Sequence, residues 1–182
     1  MRKILLAVLL VSVTTIGSAQ IYKGQYMVGG NASFTSSKFS DIDGSTTDVT
    51  ISPNFGYFFI NNLAGGLRLS FLSSKEEDQE AYTEFSGAPF LRYYFLPTAQ
   101  KVNIFAEASY GFGSAGTDDK ESFNQYAFMA GPAIFLTPNA ALEFGLLYSS
   151  TGGDAFGDIR LNTFGLNIGF QIHLGTPKTG AR

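Results

Sequence analysis

The feature that most restricts this chain is an alternation of apolar and polar residues with a period of two. The last stretch shows it best. Phe164, Leu166, Ile168, Phe170, Ile172 and Leu174 share one phase, and Gly165, Asn167, Gly169, Gln171 and His173 share the other. That period belongs to a β-strand with two unlike faces. Strands are predicted over 25–35, 46–58, 63–73, 82–95, 102–113, 123–135, 140–150 and 162–174. The connections alternate in length. Ile60-Asn61-Asn62, 96–101 and 136–139 are short and carry Asn or Pro, whereas 36–45, 74–81, 114–122 and 151–161 are longer and richer in charge, Gly and Ser. An even strand count brings both chain ends to the short-turn side.

The chain opens with export features. Arg2 and Lys3 precede an apolar run over 4–13 that only Ser12 breaks, and Gly17-Ser18-Ala19 offers small residues to a signal peptidase. A signal peptide over 1–19 and one domain over 20–182 are expected. The run is short for a spanning helix, which needs about 20 apolar residues. There is no cysteine, so no disulfide framework is available in an oxidising compartment. The formal charge is −3, and taking Arg2 and Lys3 away with the leader leaves −5, a balance that argues against nucleic acid. An exported chain of eight two-faced strands with no membrane helix has one membrane solution. That is an all-β, eight-stranded antiparallel up-and-down transmembrane β-barrel, with short periplasmic turns and longer outer loops.

Alternation alone does not orient the faces, since a soluble lipocalin-like carrier would turn its apolar phase inward. The apolar phase is bulky: Tyr26, Val28 and Phe34, then Val49, Ile51 and Phe55, then Leu67, Leu69 and Phe71. An eight-stranded interior is only just wide enough for ordinary side chains, so this set would overfill it. The other phase is small and polar, as in Thr50, Ser52, Asn54 and Gly56. A soluble exterior would carry many Lys and Glu instead. The apolar phase is therefore expected to face lipid.

Arg68, Arg92, Glu107 and Glu143 all fall on the polar phase, three to five residues from a short turn. Two positive and two negative charges at one depth of a narrow lumen are expected to form an ion-paired plug. The alternative is a gate in a narrow porin-like channel for ions or very small solutes. Pro53, Pro89 and Pro132 share the apolar phase and recur before the short turns. Proline has no N–H for the ladder and a closed barrel has no edge, so a bulge or a missing ladder bond is expected at each. Rings gather at the strand ends. Tyr57-Phe58-Phe59 and Tyr93-Tyr94-Phe95 lie by the short turns, and Tyr110, Phe112, Phe123, Tyr126 and Tyr148 lie toward the loops. They are expected to form two interfacial girdles.

Little in the chain points to catalysis. His173 is the sole histidine, on the polar phase near the end of the last strand, and a hydrogen bond lining the mouth is expected for it. No Cys, second His, G-x-S-x-G motif or phosphate-binding Gly loop accompanies it. No enzymatic activity, cofactor or resident metal is expected. The long loops are acidic, with Asp41, Asp43, Asp118 and Asp119 the candidates for weak calcium contacts or for cation bridges to lipopolysaccharide phosphates. None matches the EF-hand loop.

Three segments carry a resemblance. Gly87-Ala88-Pro89-Phe90-Leu91-Arg92-Tyr93-Tyr94-Phe95, Gly131-Pro132-Ala133-Ile134-Phe135-Leu136-Thr137-Pro138-Asn139 and the stretch from Pro53 to Tyr57 resemble the outer-membrane β-barrel domain proteins common in Bacteroidetes. Those are similar in turn to the small OmpA/OmpX-type barrels. The resemblance implies an outer-membrane location in a Gram-negative envelope and an interior Arg–Glu network, the role that Arg68, Arg92, Glu107 and Glu143 fit. It implies insertion by the barrel-assembly machinery, with recognition falling on Phe170 or Leu174. The apolar phase, the acidic loops and the negative charge read above add outer-membrane lipid and lipopolysaccharide as expected partners and no nucleic acid. A monomer with a structural or adhesive role exercised by its outer loops is the resulting expectation.

Overall fold

The computed structural model describes residues 21–38, 45–76, 80–97 and 100–175. The leader expected over 1–19, together with Asp41 and Asp43, lies outside them. Eight strands follow in chain order: β1 (Tyr26–Lys38), β2 (Ser45–Ile60), β3 (Leu63–Glu76), β4 (Tyr82–Tyr94), β5 (Val102–Gly116), β6 (Glu121–Thr137), β7 (Ala140–Gly153) and β8 (Gly157–Leu174). Each runs antiparallel to the next, and β8 pairs back onto β1 to close a barrel. The tight turn from β2 to β3 depends on Asn62, held at φ 67°, a left-handed conformation that Asn tolerates better than most residues.

Several strands reach further from the short turns than alternation suggests. β5 continues to Gly116, and the loop expected over 151–161 contracts to a 3₁₀ turn at Asp154–Phe156. Ser149, Ser150 and Thr151 pair with Thr163, Asn162 and Leu161 in unbroken register. Ladder hydrogen bonds need only backbone, so pairing outlasts the apolar phase that marks the membrane-facing part of each strand.

The faces settle the orientation. Phe144, Leu166 and Phe170 lie on the outer wall, whereas Arg92 is 1% exposed and Glu143 3% exposed within the barrel. A lipocalin-like carrier would require the reverse.

At each strand proline the ladder toward the following strand is interrupted without a change of register. Pairing passes from Ile51↔Phe71 to Asn54↔Arg68 across Pro53. It passes from Gly87↔Phe112 to Phe90↔Ser109 across Pro89, and from Ala130↔Leu146 to Ala133↔Glu143 across Pro132. These are missing ladder pairs rather than bulges. The register shifts lie beside turns, at Phe58/Ile60, Phe135/Thr137 and Thr151/Gly153. Opposite Pro53 stands Gly30, whose φ of 147° suits glycine and whose missing Cβ leaves room for the Ser52 backbone. Pairing between β1 and β8 also stops here, at Gly30↔Phe170.

The girdle expectation needs correction at three rings. Phe58 and Tyr94 are fully buried and Phe123 nearly so, all inside the barrel. Strict alternation places them there: the outward rings of each short-turn triplet are Tyr57 and Phe59, and Tyr93 and Phe95. At the other end Tyr110, Phe112, Tyr126 and Tyr148 remain outside.

Candidate functional site: the lumen plug and the vestibule

The four charged residues expected in the lumen come together. Arg92 on β4 and Glu107 on β5 are directly opposed in the ladder, and Arg92 Nε donates to Glu107 Oε2 at 2.8 Å. Glu143 approaches from β7 on the far wall, where its two oxygens accept from Arg92 Nη1 at 2.8 and 2.7 Å. Arg68 on β3 reaches past β4 to Glu107 Oε1, at 2.7 Å. Two guanidiniums and two carboxylates leave no net charge. Burial of an ion is expensive, and mutual pairing with further hydrogen bonds offsets much of that cost.

Rings complete the setting. Tyr94 donates its hydroxyl to Glu143 Oε1 at 2.9 Å and accepts from Arg92 Nη1 at 3.3 Å. The Arg92 guanidinium lies 4.7 Å from the Phe105 ring centre, and that of Arg68 lies 5.6 Å from the Phe90 ring. Such contacts favour cations in a dry setting. The plug is thus a polar knot inside an aromatic layer, not the purely ionic one that the charge pattern suggests.

Toward the short turns the lumen is filled by apolar side chains. Met27, Phe58, Phe105 and Phe135 pack there, joined by Ile21 from the segment ahead of β1. That segment is tied down: Gly24 N–H donates to Phe58 O at 2.8 Å and Phe58 N–H to Gln25 O at 2.9 Å. His173 sits among these rings at 0% exposure, with the rings of Phe58, Tyr94 and Phe135 edge-on at 5.5, 5.7 and 5.5 Å. Neither ring nitrogen has a hydrogen-bond partner among the described residues. The mouth-lining hydrogen bond expected for His173 is therefore corrected: the side chain is a buried ring in an aromatic cage.

On the other side of the plug the lumen widens into a vestibule of about 260 Å³, lined by Ser52, Ser70, Ser86, Ser109 and Gln125, with Arg68 at its floor. Ser70 Oγ donates to Ser52 Oγ at 3.0 Å, and Gln125 Nε2 to Thr151 Oγ1 at 2.8 Å. Arg68 Nε and Asn54 Oδ1 are buried without hydrogen-bond partners among the described residues. Asn54 and Arg68 are directly opposed across β2 and β3.

The acidic candidates are not drawn into a site. Asp118 and Asp119 stand exposed between β5 and β6. Among the described residues, no three Asp, Glu, His or Cys side chains gather as a metal site would require.

Sequence alone puts Tyr94 in an interfacial girdle, gives Phe105 no role and places Ser52 on the polar phase without implying a cavity. A signal for the rings existed: Phe90 and Tyr94 share the phase of Arg92, and Phe105 shares that of Glu107. Any ring in phase with a lumen charge must itself face the lumen. No comparable signal marks the vestibule, because phase gives the face on which Ser52 and Ser109 lie and not the empty space between facing walls.

Comparison with known proteins agrees with this architecture. The family model described as outer membrane protein beta-barrel domain matches residues 4–171. The chain superposes on the outer membrane protein OprG from Pseudomonas aeruginosa with a TM-score of 0.57 and 12% identity, covering 88% of this chain and 100% of that one. It superposes on Neisserial surface protein A (NspA) with a TM-score of 0.57 and 20% identity, covering 82% and 97%. At these identities the two likenesses speak to fold alone. No curated protein matches the sequence.

Proposed function

Because this chain belongs to the outer membrane protein beta-barrel domain family and so resides in the outer membrane, we propose that it is a non-conducting barrel with a structural or surface-interaction role. The observation that carries this reading is the sealed Arg92 side chain, which bridges opposite walls of the lumen at 0% exposure with rings packed beneath it. A conducting path would have to displace both the ion pairs and the aromatic layer. What remains available to partners is the rim of strand ends, turns and loops away from the short turns. A narrow channel is the second reading, and it would require the Arg92–Glu143 contact to break in the resting protein. Planar-bilayer recording from the purified, refolded barrel separates the two. The proposal expects a flat baseline at both polarities, and discrete steps would replace it with the channel reading.

The same proposal includes a monomer inserted by the barrel-assembly machinery. It also includes contacts with lipopolysaccharide that exposed Asp118 and Asp119 make through divalent cations. Calorimetry with calcium on the refolded protein tests the last point, and an absence of heat would dismiss it. Catalysis is not part of the reading, because the sole histidine is shut among rings, where no substrate reaches it.

A further inference from the structure

The barrel is closed unevenly. β1 stays paired with β2 as far as Lys38, and β8 stays paired with β7 back to Gly157, yet β1 and β8 hold each other only from Tyr26↔Leu174 to Gly30↔Phe170. Beyond Gly30 the two strands part. The side chains beside the parting are unusually exposed: Leu166 at 85% and Phe164 at 73% head the large apolar residues of the outer wall, and Ile168 stands at 60%, against 53% for Leu146 on the neighbouring strand. Inside, the vestibule lining includes Asn31 from β1 and Asn167 from β8, so the cavity reaches the parting from within. A Cβ added at Gly165 would meet nothing within 4 Å.

An open strand edge at membrane depth is unfavourable, because hydrocarbon offers its N–H and C=O groups no partners. Whatever occupies the parting must be polar where it meets the edge and the vestibule, and apolar where it meets Leu166 and Ile168. We infer that the vestibule binds the head of an uncharged, hydroxyl-bearing amphiphile, a sugar or glycerol unit carrying a single alkyl chain, whose chain leaves between β1 and β8 into the bilayer. Hydroxyls both donate and accept, as the serines and amides of the lining require. A charged head is disfavoured, since the ion pairs beneath are balanced and either sign would compete with one of them. The volume of about 260 Å³ lies below that of a drug-sized pocket, ~300–1,000 Å³, and suits one sugar ring.

The test uses the full mature barrel in lipid nanodiscs with a diazirine-bearing octyl glucoside as photolabel, adducts being located by mass spectrometry. Saturable labelling at 31–32 and 164–168, competed by octyl glucoside but not by octyl phosphate or octyltrimethylammonium, is the expected result. Ser86→Phe and Ser109→Phe, made separately to fill the vestibule, should each reduce that labelling at least tenfold. Heat-modifiable gel mobility reports whether each variant is folded. The inference is overturned by labelling spread evenly over wall residues such as Ile51 and Phe128, by stronger competition from a charged head, or by undiminished labelling in a folded filled variant. If neither variant folds, the label map and the competition still decide.

Discussion

Arg92 on β4 and Glu143 on β7 meet across the lumen, both carboxylate oxygens lying within 2.8 Å of one guanidinium nitrogen. The contact joins opposite walls, so it fastens the cylinder through its interior while blocking it. Because both groups are buried, the loss of one leaves the other stranded.

Glu143→Ala should therefore be strongly destabilising, by about 3–5 kcal/mol, the usual range when one partner of a buried pair is removed. Urea unfolding in lipid vesicles, followed by gel mobility, measures it. A loss under about 1 kcal/mol would mean that Glu107 and Tyr94 already satisfy Arg92.

The aromatic layer predicts a hierarchy of closure. Arg92→Ala alone should leave bilayer recordings flat, since Phe58, Tyr94 and Phe105 remain beneath it. Adding Phe58→Ala and Tyr94→Ala should bring discrete steps. Steps in the single variant would show that the ion pairs, rather than the rings, form the seal.

His173→Phe tests the caged imidazole. A buried polar group without a partner costs about 1–3 kcal/mol, and phenylalanine keeps the edge-on ring contacts with Phe58, Tyr94 and Phe135. Stability is expected to hold or rise by about 1 kcal/mol in the same unfolding assay. A marked loss would reveal that a ring nitrogen makes a bond that matters.

Pro89→Ala gives β4 an N–H at the point where its ladder with β5 lapses. Closing that gap should add about 0.5–1.5 kcal/mol, the net worth of one hydrogen bond. Slower hydrogen exchange at residues 88–89 and 110–111 is the accompanying signature. Unchanged exchange would assign the gap to strand geometry instead of the missing donor.

Leu146→Arg probes the outer wall midway along β7. A lipid-facing arginine at the bilayer midplane costs about 2–4 kcal/mol. A neutral outcome would place Leu146 outside the hydrocarbon.

Several features could be read from the chain because each has a local cause. Period two marks strands whatever surrounds them, as in Phe164 to Leu174. Bulk on one phase and small polar residues on the other oriented the wall, and a charge in phase with glycine pointed inward, as Arg68 and Glu143 do. Pro53, Pro89 and Pro132 announced their ladder gaps because the missing donor is covalent. Strand ends were less legible. Ser149-Ser150-Thr151 pairs through backbone alone and leaves no apolar trace.

Sequence by itself determined an eight-stranded barrel with an apolar exterior and a charged interior, since alternation and charge phase act within one strand at a time. Tertiary structure alone decided which walls the charges join, which rings pack against them, that His173 lies dry among rings, and that β1 and β8 part above Gly30. Those outcomes depend on the stagger between strands far apart in the chain, and stagger sets which side chains share a level of the lumen. No single strand encodes it.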